Sequence, residues 1–169
     1  MSLPLSQLAK STTGRTFGSL INILTKAEAY AAERGTDEAV LLGWRLAPDM
    51  FPMSRQIQIA SDISARGMAR LAGVEIPSKD DTEKSFADLR ERASWASAYI
   101  KDLDDASIDA DPDGTVTFPV GRDGETMTLP RQAYLCHFIL PNLYFHASTA
   151  YGLLRSCGVP LGKRDFLGG

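Results

Sequence analysis

The stretch Tyr134–Gly168, YLCHFILPNLYFHASTAYGLLRSCGVPLGKRDFLG, decides the reading of this chain. Apolar and aromatic residues recur along it at helical spacing as far as Cys157, and Gly158 followed by Pro160 supplies a stop. A long helix is therefore expected from Pro130 or Arg131 to Cys157, with a basic tail behind it. Pro141 falls inside that helix, where it removes the hydrogen bond to the His137 carbonyl and predicts a kink. Both histidines and both cysteines of the chain lie in this one stretch.

Upstream the texture changes. Thr115–Val120 alternates, with Val116, Phe118 and Val120 on one side. Asp123-Gly124 reads as a two-residue hairpin turn, and Glu125–Leu129 as the return strand. Pro119 confines the pair to a small ribbon, because proline cannot donate within a sheet. Asp104–Gly114, before the ribbon, is acidic and turn-rich.

Three more long helices precede it. The first spans about Leu5–Arg34, with Phe17, Leu20, Ile21 and Leu24 on its stripe and Gly35 as its stop. A short helix over Asp37–Arg45 follows, with Thr36 as N-cap and Pro48 beyond its end. The second long helix starts near Phe51 or Pro52 and ends at Ala72 before Gly73, with Met53, Ile57, Ala60, Ser64, Gly67 and Leu71 on one face. The third, Thr82 to about Leu103, carries Phe86, Leu89, Ala93, Ala96, Ile100 and Leu103, and Asp80 or Asp81 is its expected cap. Four amphipathic helices with a β-hairpin inserted before the last predict an all-α four-helix bundle.

The totals set bounds. At 169 residues the chain fits a single domain, 1–169, able to bury a core without staples. A net charge of −3 argues against a nucleic-acid partner, which normally meets a basic face. No run of about 18 apolar residues occurs, so no membrane span is expected. MSLPLSQLAKSTTGR lacks a basic segment followed by a continuous apolar one, so a cytoplasmic location is expected. Cys136 and Cys157 on one helix would stand roughly 30 Å apart. A disulfide needs Cα atoms within about 7 Å, so both are expected as reduced thiols.

Polar groups on bundle stripes need a reason, and several stand out. Asn142, His146 and Ala150 share a face at i, i+4 and i+8. His146 is either a satisfied core histidine among Leu143, Tyr144 and Phe145 or the centre of a site at the kink. His137 lies about half a turn away, so the two histidines converge on one metal only if the kink rotates them together. On the second long helix, Asp62 and Arg66 fit an exposed ion pair. Alternatively Gln58 and Asp62 point inward to His146, where a carboxylate beside an imidazole makes a general base. Asn142, Tyr144 and Tyr151 form either core with polar edges or the lining of a pocket. Gly162-Lys163-Arg164-Asp165 reads as a surface tail or an anion-binding segment. No CxxC, HExxH, P-loop or dinucleotide glycine fingerprint occurs.

Nearly end to end, the chain resembles an uncharacterised bacterial family, domain of unknown function 1993, within the DinB-like superfamily. LAPDMFPMSRQIQIASD, ARLAGVEIP, LPNLYFHASTAYGLLR and GVPLGKRDFLG carry the resemblance. It implies a DinB-like four-helix bundle, often a homodimer. Many superfamily members bind a divalent metal through three histidines, one on helix two and two on helix four in a pattern like H-x-x-x-H-R-G-Q. His146 overlays the first of that pair and Gly152 the glycine, but Ala150 stands at the second histidine and helix two has none. One ligand of three remains, so no cofactor is expected, and the thiol-transferase or metal-hydrolase activities of relatives do not carry over. The expected function is a cytosolic bundle binding a small molecule, with Asn142, His146, Tyr151 and Gln58 as candidate contacts. The alternative is an enzyme, a metal-dependent or histidine-based transferase or hydrolase. Its pocket would lie between the second and fourth long helices, with His146, Asp62 and Gln58 as catalytic candidates.

Overall fold

The computed structural model describes residues 3–121 and 123–168. Four long helices each bury one stripe, and the stripes dictate their pairing. Helix α1 (Leu5–Arg34) packs on α4 (Phe86–Asp102), α4 on α3 (Met53–Ala72), α3 on α7 (Leu140–Ser156), and α7 back on α1. This closes the predicted four-helix bundle. Phe17, Leu20 and Leu24 of α1 meet Ile57, Met68 and Leu71 of α3, Phe86, Leu89 and Ile100 of α4, and Leu143, Leu153 and Leu154 of α7 in one buried cluster. The expected stripe Met53, Ile57, Ala60, Ser64, Gly67 and Leu71 is buried throughout. Gly35 and Gly73 end α1 and α3 in the left-handed conformation, at φ 62° and 66°.

Several boundaries move, each for a local reason. The short helix α2 spans only Glu38–Leu42, because the Asp37 side chain, not Thr36, accepts the Ala39 amide at 2.9 Å. Helix α4 starts at Phe86 instead of Thr82. Ser85 and Asp88 form a capping box there, while Asp80 and Asp81 are drawn to Arg92. The acidic stretch after α4 contains one more turn of helix, α5 (Asp105–Asp109), capped by Asp104 on the Ser107 amide.

The hairpin is present before the last long helix. Strand β1 (Thr115–Val120) pairs antiparallel with β2 (Glu125–Pro130), and Val116 and Phe118 turn inward. Val120 faces Glu125, so positions 121–124 form a four-residue connection where two were expected; residue 122 lies outside the described ones.

The last long helix is not one continuous α-helix. A single turn, α6 (Arg131–Ala133), runs into a π-helical segment, Tyr134–Ile139, before α7 begins. That segment ends just before Pro141, the residue expected to disrupt the helical ladder. The Asn142 side-chain amide donates to the Phe138 carbonyl at 2.7 Å, one of the groups the altered ladder frees. Helix α8 (Lys163–Leu167) folds back along α1. Among the described residues no helix is long and apolar enough to cross a membrane.

Candidate functional site

His146 sits on the α7 face that meets α3, 8% exposed. Its partner is Gln56, whose Oε1 lies 2.7 Å from the imidazole Nδ1. Gln56 is itself fixed, because its Nε2 donates to the Phe51 carbonyl at 3.0 Å. With the amide nitrogen committed to a carbonyl, the oxygen faces the ring, and an amide oxygen only accepts. Nδ1 therefore carries the proton, and Nε2 keeps its lone pair. Burial, with a smaller push from the Arg55 charge, lowers the His146 pKa to about 4, so the ring is neutral at physiological pH. Phe145 stands edge-on to the imidazole at 5.2 Å and is 58% exposed; Phe51, whose carbonyl holds Gln56, is 52% exposed and lies under the Arg55 guanidinium.

Gln58 and Asp62 go elsewhere. Asp62 pairs with Arg92 at 2.5 Å, and neither the expected Asp62–Arg66 pair nor an Asp62–His146 contact forms. The Gln58 amide donates to Glu83 at 2.8 Å and its oxygen accepts from Arg55. Both belong to a cluster around Arg92, whose fully buried guanidinium also reaches Glu83 at 2.8 Å, Asp81 at 3.2 Å and the Asp80 carbonyl at 2.9 Å. Burial pulls the Arg92 pKa down, but hydrogen bonds to Asp62 and Glu83 outweigh it and hold the value above the ordinary one. This cluster pins the 79–83 loop onto α3 and α4 and leaves no carboxylate for the imidazole.

The other candidates separate as well. Asn142 is turned to the Phe138 carbonyl, and Tyr151 lies edge-on to Phe166 of α8 at 5.8 Å. His137 is exposed, on a different side from His146. Spacing did not single out Gln56 or Arg92, yet each left a signal. Gln56 falls between Met53 and Ala60, and Arg92 between Leu89 and Ala96, on stripes that are otherwise apolar.

The donor set around His146 does not fit a three-histidine metal centre. Its α3 neighbour is an amide already holding the imidazole N–H, and the position one turn on is Ala150, fully buried. Among the described residues no three His, Cys, Asp or Glu side chains are grouped to hold a metal ion.

The protein is thus a four-helix bundle with a hairpin ahead of its last long helix and one imidazole facing α3. A crystal structure of a DinB family member protein from Shewanella denitrificans, at 1.83 Å resolution, is similar at 35% identity and a TM-score of 0.87, covering 98% of this chain and 92% of that one. The chain belongs to the family described as domain of unknown function (DUF1993), which it matches over residues 5–167. No curated protein matches it.

Proposed function

We propose that this protein is a small-molecule-binding DinB-like bundle that works without a three-histidine metal, with His146 Nε2 as its hydrogen-bond acceptor. The observation that carries the reading is the chain from the Phe51 carbonyl through Gln56 to His146 Nδ1, which fixes one tautomer. A pKa of about 4 favours binding over catalysis, because a general base works best with a pKa near the operating pH. The enzyme alternative would also need a carboxylate at the imidazole, and Asp62 and Glu83 are held by Arg92. A ligand suited to the site carries an O–H or N–H donor for Nε2 on an apolar body that meets Phe51 and Phe145.

The test combines metal analysis with histidine NMR. Tag-free protein incubated with nickel, zinc and manganese should retain no stoichiometric metal by elemental mass spectrometry. In ¹⁵N-histidine spectra at neutral pH, Nε2 of His146 should show the shift of an unprotonated nitrogen and move on titration with phenol. Near-stoichiometric metal that disappears in His146→Ala would overturn the reading and restore the metal enzyme.

A homodimer and a cytoplasmic location complete the proposal. The dimer follows from the family resemblance and is checked by sedimentation equilibrium. Two free thiols, Cys136 and Cys157, suit a reducing compartment.

A further inference from the structure

A second place on the molecule has the makings of a binding site, about half a turn around α7 from His146. Tyr144, Ser148 and Tyr151 recur at i, i+4 and i+7, so they share a face of that helix. Tyr144 of this face, α1 and α8 border an open cleft of about 510 Å³ whose walls include Thr12, Arg15, Tyr144 and Phe166. A smaller hollow of about 160 Å³ adjoins it, lined by Tyr151, Lys163 and Phe166. Phe166 borders both and forms the wall they share.

The walls are fixed by specific contacts. Asp165 accepts from Lys26 at 2.5 Å, from Asn22 at 3.3 Å and from the Gly162 amide at 2.8 Å, which ties α8 to α1. Phe166 then stands edge-on to Tyr151. The one acid of the tail is therefore turned to α1, while its neighbour Lys163 lines the smaller hollow.

Two aromatic rings, Tyr144 and Phe166, and one cation, Arg15, in the larger cleft suit one ligand class. The larger cleft lies within the roughly 300–1,000 Å³ of small-molecule sites. Rings stack offset or edge-on against aromatic walls, and an arginine fork matches the two oxygens of a carboxylate. We propose that this cleft binds a small aromatic carboxylate, its ring between Tyr144 and Phe166 and its carboxylate on Arg15. Lys163 adds positive potential from the adjoining hollow. The site is independent of His146 and stands whether or not the reading of that histidine holds.

The probe is 4-fluorobenzoate, followed by ¹⁹F NMR on the full chain. Binding should saturate, fall by about tenfold or more in Arg15→Met, and fall similarly for methyl 4-fluorobenzoate, which is neutral and carries no O–H or N–H donor for His146. Arg15 is exposed, so that variant tests the ligand contact without disturbing the core. Lys163→Met should weaken binding less than Arg15→Met, and added salt should weaken it in the wild type. Failure of 4-fluorobenzoate to saturate, or equal affinity in Arg15→Met, would overturn the proposal.

Discussion

Gln56 and His146 form a buried pair whose charge state is coupled to folding. The folded imidazole has a pKa of about 4, against about 6.5 for an unfolded histidine. Between those values the unfolded chain binds more protons, so stability rises with pH. The contribution is complete above about pH 6.5 and is lost as pH falls towards 4, at up to roughly 1.4 kcal/mol per pH unit. Asp104, held down by Ser107, and Asp165, held down by Lys26, titrate below that window. Urea midpoints from pH 7 to 4.5 should therefore drop in the wild type and flatten in His146→Gln; an unchanged slope in the variant would refute the assignment. Arg92 is a different case, a buried cation with three carboxylates. Arg92→Leu should cost about 3–5 kcal/mol by denaturant titration, because Asp62 and Glu83 are left uncompensated. The candidate site was only half legible at this scale. Helical spacing placed His146 on a stripe, but Gln56 and Gln58 stand two residues apart, and the choice between them depended on a rotation of α3 that spacing does not fix.

At the scale of elements, the approach of α3 to the π-helical segment depends on one missing side chain. A Cβ on Gly67 would stand 2.7 Å from the Ile139 side chain, which is fully buried. Gly67→Ala should destabilise by about 1–3 kcal/mol, the usual cost of overpacking, and Ile139→Val should recover part of it. Equal thermal midpoints for wild type and Gly67→Ala would show that the interface yields freely. The long helices and the hairpin were legible because their periodicity is carried by buried residues. The start of α4 was not, because the acids at 80 and 81 look like caps until Arg92, within α4 itself, takes the Asp81 carboxylate and the Asp80 carbonyl. The π-helical turns were also hidden, since they share the apolar texture of the α-helix they interrupt.

At the scale of the whole molecule, the hairpin is tied to the core through β1, whose Val116 and Phe118 are buried while β2 stays largely outside. Phe118 packs against Tyr134 at 4.5 Å and Phe138 at 4.4 Å, while Thr117 points outward. Phe118→Ala should cost about 3–5 kcal/mol, and Thr117→Ala should change stability little, both read from urea unfolding. The π-helical segment carries a different consequence, one for tolerated changes of length. Each turn there holds more residues than an α-turn, so the helix contains a surplus residue between two ends already anchored. Deleting a residue from a buried α-helix ordinarily throws everything beyond it out of register. Here, removing the exposed His137 should let the wide turns close into regular α-helix, leaving His146 on Gln56 and giving a folded protein one residue shorter.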